Sequence, residues 1–372
     1  ITNAGTGQPI PDGSYFNAAV AVNVTVTDAT TESGTTKTVT LDGAPYTGAP
    51  VAVEGGHRVD VTARDGAQNV STASLLFIID TTDPAFSDLL PTDGSVGKAT
   101  PVTVSGSVSA DAVEVKVNGQ PATLSGGRFS LGGVALTEGT NTVALTARDR
   151  AGNSGGTSLQ VIFDTTPPTI VISAPTAGQL VDALTVTVTG SVSDANLESV
   201  TVEGGPATLA GGTFARLGVS LTEGANTLTA TGRDKAGNTA STTVNVVADT
   251  KPPTLTITSP TTGQVLGQSS VTVSGTASDA HLSTVSVNGT AATVSSDGSF
   301  TVAVVLTEGA NTLVARARDS LNHESTVSVT VSLDTTAPDV RITQPADRAS
   351  FRTTPQTITG TVDTAVNLET VT

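Results

Sequence analysis

The chain contains no cysteine, methionine or tryptophan, and its aromatic side chains are two tyrosines and eight phenylalanines. Without cysteine there is no disulfide, no thiol catalysis and no Cys-ligated zinc, and the absence is silent on compartment. With so few aromatics, cores must be built from Val, Leu, Ile and Ala, which suits small β-sandwiches. Basic residues are also scarce: 17 Lys and Arg stand against 33 Asp and Glu, a formal net charge of -16. Such a surface argues against nucleic acid and anionic membrane as partners and makes divalent cations the natural ones. No apolar run approaches the roughly 18 residues that cross a bilayer, so no direct membrane insertion is expected in this segment, and no charged-then-apolar leader opens it. Beginning at Ile1 without Met and stopping at Thr372 inside a repeat, the sequence reads as an excerpt or processed form.

What is present is a repeat. "IDTTDPAF" (79–86), "FDTTPPTI" (163–170), "ADTKPPTL" (248–255) and "LDTTAPDV" (333–340) begin on Asp80, Asp164, Asp249 and Asp334, spaced 84, 85 and 85 residues apart. The period predicts four full domains, 1–80 (divergent), 81–164, 165–249 and 250–334, and a truncated fifth, 335–372. Repeats two to four share a strand ending in Gly106, Gly190 or Gly275, an acidic loop ("SADA", "SDAN", "SDAH"), a "VNG" or "VEG" hairpin and "LTEG". They then share "ARDRAGN" (147–153), "GRDKAGN" (232–238) and "ARDSLNH" (317–323); repeat one has "ARDGAQN" (63–69) but a shorter middle.

Within a repeat the hydrophobic period is two. Leu184, Val186, Val188 and Val192 alternate with Thr185, Thr187 and Thr189, and Leu217, Val219 and Leu221 alternate again. That is the pattern of half-buried strands, and no segment of ten residues carries helical spacing. About seven short strands per repeat, punctuated by turn residues, predict an all-β fold of antiparallel two-sheet sandwiches.

The stretches "LTEGANTLTATGRDKAGN" and "DTTPPTI" resemble bacterial immunoglobulin-like domains, the tandem modules of large surface adhesins and of some secreted carbohydrate-active enzymes. "YTGAPVAVEGGHRVDVTARDGAQN" in repeat one resembles another branch of the same group. The resemblance covers nearly the whole chain and implies tandem immunoglobulin-like sandwiches in an extended rod. It specifies the module well and the biological role poorly.

In such a sandwich the first strand, the loop between the second and third strands and the loop between the last two lie at the pole that meets the preceding domain. Asp80 should therefore approach Asp111, Asp149 and Asn153; Asp164 should approach Asp194, Asp234 and Asn238; and Asp249 should approach Asp279 and Asp319. Three crowded carboxylates repel, and calcium, which wants six to eight oxygen ligands, would relieve them. Resemblance to calcium-bearing adhesin stalks points the same way, with binding in the range of about 10⁻⁴ to 10⁻³ M typical of extracellular modules. A purely structural reading stands beside it: Asp caps turn amides, and Gly or Asn tolerates positive φ. In repeat four, "DSLNH" lacks the glycine, which weakens the calcium case there.

Pro84, Pro168, Pro253 and Pro338 recur at one position in each linker and stiffen it. Domains of about 40 Å each would give a rod of about 150 Å. The remaining candidates point away from catalysis. His57, His281 and His323 fall at unrelated repeat positions and read as surface histidines. "GSVGKAT" (94–100) lacks the first Gly of a phosphate loop, has Ala99 where Ser or Thr should hold magnesium and is followed by no helix. Glu138, Glu223 and Glu308 of "LTEG" read as turn residues, and Phe129, Phe214 and Phe300 as core anchors. The sequence thus predicts a non-catalytic, extracellular or cell-surface segment of bacterial type, partnered by its own neighbouring domains: an adhesin stalk or surface fibre. Alternatives are accessory modules of a secreted polysaccharide-degrading enzyme, or a filament subunit that pairs with identical chains by completing its partial last domain.

Overall fold

The computed structural model describes residues 1–28 and 34–362. Every regular element among them is a β-strand, as the alternating pattern requires. In the second repeat, one sheet has the strand order Thr123–Ser125, Arg128–Val134, Val102–Val108, Phe86–Leu90. The other has the order Gln120–Pro121, Ala112–Val117, Gly139–Asp149, Ser154–Phe163, Ser95–Gly97. Val115 and Val117 are buried between the sheets, while Glu114 and Lys116 face water. The third and fourth repeats have the same two strand orders. The first keeps the five-stranded sheet, and among the described residues its other face holds Thr2–Asn3 paired with Val22–Asn23. These are tandem immunoglobulin-like domains.

Turn chemistry fixes the register. Asn118-Gly119, Glu203-Gly204 and Asn288-Gly289 all take positive φ, as a two-residue hairpin turn demands. Glycine has a second use inside the strands. Gly106, Gly190 and Gly275 do not end their strands as expected; they sit within them, directly across from Phe129, Phe214 and Phe300. A Cβ on Gly275 would lie 2.0 Å from the Thr256 carbonyl oxygen and 2.6 Å from the Phe300 ring. The aromatic covers the bare backbone, and each phenylalanine is 3% exposed or less.

By backbone contact the chain divides into two compact units, Ile1–Ile170 with Val192–Thr201 and Thr231–Ser241, and Val171–Ser191 with Val202–Ala230 and Thr242–Thr372. The first unit holds the linkers at Asp80 and Asp164 and the second those at Asp249 and Asp334, so each linker lies inside a single unit.

Candidate functional site

Each linker begins where a short strand pairs in parallel with the last strand of its own repeat: Ser95–Gly97 beside Val161–Phe163, and Gln179–Val181 beside Val246–Ala248. The aspartate that follows adds one more backbone bond, Asp80 N–H to the Phe16 carbonyl (2.9 Å), Asp164 to Gly97 (2.9 Å) and Asp249 to Val181 (3.0 Å). The threonines after it are gripped by a glutamate of the same repeat. Glu138 accepts from Thr165 N–H (3.0 Å), Thr165 Oγ1 (3.0 Å) and Thr166 Oγ1 (3.2 Å). Glu54, Glu223 and Glu308 make the equivalent bonds to Thr81, Thr250 and Thr335. The Thr165 amide first, and then its hydroxyl, hold Glu138 below the usual glutamate range despite some opposing burial. So the "LTEG" glutamates, read from sequence as turn residues, are linker grips. The signal was present in the fixed interval of 27 residues from glutamate to threonine.

The following repeat takes hold from the other side. Asp234 is fully buried; its Oδ1 accepts from Asn238 N–H (2.8 Å) and its Oδ2 from Asn238 Nδ2 (2.8 Å). The same Nδ2 donates to the Asp164 carbonyl at 2.9 Å, tying the linker to the turn. Asp149 and Asn153 repeat this at the first junction, with Asn153 Nδ2 donating to the Asp80 carbonyl (2.8 Å) and to Asp149 Oδ2 (2.8 Å). Burial pushes Asp234 up, but the Asn238 side-chain and backbone donors outweigh it and leave the carboxyl below its ordinary value. Pro84, Pro168 and Pro253 are buried against the receiving repeat, while Pro338 is exposed. Within about five residues each of the first three linkers is thus fixed by a ladder bond, a glutamate grip and packed proline, and the first two also by an asparagine.

The aspartates expected to converge do so at two junctions. One oxygen each of Asp80, Asp111 and Asp149 lies within 4.8 Å of the others, and Asp164, Asp194 and Asp234 form a like set. At the third junction the groups sort differently, into two sets that share Asp249: one with Asp279 and His281, the other with Asp319 and His323. The structure also changes one equivalence. Asp111 directly precedes Ala112, which pairs with Asp149, just as His281 precedes Leu282, which pairs with Asp319. Asp111 therefore stands where Asn196 and His281 stand, not where Asp194 and Asp279 do. A one-residue difference in loop length hid this in the sequence.

That position faces the linker aspartate. Asn196 Nδ2 donates to Asp164 Oδ2 at 2.7 Å, and His281 Nδ1 lies 2.8 Å from Asp249 Oδ2. At the first junction a carboxylate takes the donor's place. Burial first, then the charges of Asp149 and Asp111 and the contact with Asp111, hold Asp80 above its ordinary value against the Thr82 amide. Asp194 and Asp279 instead accept from the backbone two residues on, at 2.7 and 2.6 Å.

The histidines are not the surface residues expected. His57 is buried, with Nδ1 2.8 Å from Asp42 and Nε2 2.7 Å from the Val53 carbonyl. His323 replaces the clamp asparagine: Nδ1 meets Asp319 at 2.6 Å and Nε2 reaches Asp182 of the preceding repeat at 2.8 Å. The other junctions have their own cross-links, Lys98 Nζ to the Gly237 carbonyl (3.0 Å) and the Arg150 guanidinium 5.8 Å from the centre of the Tyr15 ring. "GSVGKAT" supplies a strand and this lysine contact. Among the described residues no helix is long and apolar enough to cross a membrane.

Comparison with known proteins follows the repeats. The family model described as glucodextranase, domain B, matches residues 84–164, 168–250 and 253–335. Bacillopeptidase F of Bacillus subtilis (strain 168) is 35% identical over 130 residues, 35% of this chain and 9% of that protein, so the chain corresponds to a small part of its relative. Among solved structures, the I-band fragment I67–I69 of titin aligns with a TM-score of 0.44 at 12% identity, over 68% of this chain and all of that one. The tetra-tandem repeat from the extending region of a large adhesion protein aligns at 0.28 and 24% identity, over 81% and 92%.

Proposed function

This chain belongs to the glucodextranase domain B family, in three tandem copies, and on that footing we propose that it is a non-catalytic spacer of an extracellular protein. The observation that supports this reading is the double hold on each of the first three linkers: a glutamate of the preceding repeat and a donor of the following one grip the same few residues. A linker held on both sides transmits orientation from one domain to the next. The cysteine-free sequence makes the test clean. Spin labels on Thr72→Cys and Thr142→Cys, in repeats one and two, should report a single narrow distance distribution. A broad one sinks the spacer reading.

Two surroundings for a spacer differ in what lies beside it. The names glucodextranase and bacillopeptidase F favour accessory modules beside a catalytic domain over an adhesin stalk. The coding sequence on either side decides: a catalytic domain supports the first, further repeats of about 85 residues the second.

Calcium belongs to the same proposal, and the first junction supports it best. There Asp80 and Asp111 face each other with no amide between them, whereas Asn196 already serves Asp164. A hard cation would neutralise the first set. Isothermal titration of the whole chain should show calcium uptake that Asp111→Asn abolishes; uptake unchanged by that substitution, or none at all, would remove calcium from the account.

A further inference from the structure

Two of the three histidines of the chain stand at one junction, at the two positions that face the linker. His281 occupies the place of Asp111 and Asn196, and His323 that of Asn153 and Asn238. Both carry an imidazole where the other junctions carry only oxygen and amide groups. At their centre is Asp249, whose side chain is only 9% exposed. Its Oδ2 meets His281 Nδ1, but its Oδ1 has no hydrogen-bond donor among the described residues. The equivalent oxygens of Asp80 and Asp164 accept from Thr82 and Thr166. A carboxylate oxygen free of protein donors, beside an imidazole and a second carboxylate, is open to a cation.

We propose that the third junction binds a zinc ion through Asp249, Asp279 and His281, a site distinct in chemistry from the all-oxygen set at the first junction. Oxygen-only sets suit calcium, whereas an imidazole nitrogen turns selectivity towards borderline metals. Ligand atoms of the three residues lie within 4.8 Å of one another. Around zinc, with bonds of about 2.0 to 2.2 Å, ligand atoms stand about 3.3 to 3.6 Å apart, so the 2.8 Å pair of His281 and Asp249 would open slightly and side-chain rotation at Asp279 on its loop would complete the set. Zinc takes the place between His281 Nδ1 and Asp249, displacing any proton held there, and leaves a fourth position for water or for Asp249 Oδ1. His323 is not a ligand: both of its nitrogens are engaged, by Asp319 and Asp182. It holds the receiving turn against the preceding repeat. The inference rests on the junction geometry and stands or falls apart from the spacer reading.

Equilibrium dialysis of the whole chain against zinc chloride, followed by elemental analysis, tests it. One zinc per chain is expected, retained against excess calcium and lost in His281→Asn, which gives this junction the residue found naturally at Asn196. His57→Asn should keep the zinc, since His57 belongs to another repeat. No zinc uptake, or uptake unchanged in His281→Asn, overturns the proposal. Should His281→Asn fold poorly, X-ray absorption at the zinc edge of the native chain decides: an imidazole in the shell is expected, and a shell of oxygen alone contradicts it.

Discussion

Replacing Asn238 by alanine removes two hydrogen bonds at once, Nδ2 to Asp234 Oδ2 and Nδ2 to the Asp164 carbonyl. Asn238 is 9% exposed and Asp234 fully buried, so water replaces neither bond readily. A bond to a buried carboxylate contributes about 1.5–3 kcal/mol and a neutral one about 0.5–1.5, giving a loss of about 2–4.5 kcal/mol. The Asn238 backbone amide still reaches Asp234 Oδ1, which keeps the loss below that of a bare buried charge. For a repeat of this size each kcal/mol moves the melting point by about 4–8 °C, so the third repeat should melt about 10 °C lower or more. Calorimetry of the whole chain, resolving the repeats as separate transitions, measures this. The sign with pH follows from Asp234. Its folded pKa lies below the unfolded one, so its contribution is complete above the unfolded value and is lost as the pH falls through the folded value. The gap between native chain and variant should be full at neutral pH and shrink in strong acid. A neutral-pH gap under about 1 kcal/mol, within the range of an ordinary surface change, would refute the clamp.

The strand glycines and linker glutamates make separate predictions. Gly275→Ala would place a methyl group 2.0 Å from the Thr256 carbonyl and against Phe300, and should destabilise repeat four by about 3 kcal/mol or more, read as a lower denaturant midpoint. An unchanged midpoint would mean the strand shifts freely there. Glu223→Gln should leave melting nearly unchanged, because the side chain is exposed, but should speed hydrogen exchange at Thr250. Glu223 lies below its ordinary value, chiefly through the Thr250 amide and hydroxyl. Its grip is complete above the unfolded pKa and is lost as the pH falls through the folded one, so Thr250 exchange, corrected for its intrinsic pH dependence, should rise only in acid. Protection that is insensitive to both changes would remove the glutamate from the hold.

Much of the fold was legible because strands declare themselves by alternation: Val115 and Val117 inward, Glu114 and Lys116 outward. The topology of a sandwich pole also makes the meeting of Asp164, Asp194 and Asp234 readable from the sequence. What escaped was side-chain bonding across long sequence gaps. Glu138 looked like any residue before a turn glycine, since nothing local shows that its carboxylate reaches Thr165. Asp111 matches Asp194 and Asp279 in acidity, whereas strand register groups it with an amide and an imidazole. His281 and His323 fall at different repeat positions, so nothing local pairs them around one linker. Gly275 reads as a strand end because its partner, Phe300, lies 25 residues away on the neighbouring strand.

The central claim is that these linkers are held rather than hinged, and small-angle scattering of the whole chain beside an Asn153→Ala, Asn238→Ala variant tests it most directly. The account predicts that the length distribution broadens when the two asparagines are removed, because Asn153 and Asn238 tie the Asp80 and Asp164 carbonyls to the following repeats. Identical profiles for native chain and variant would contradict it.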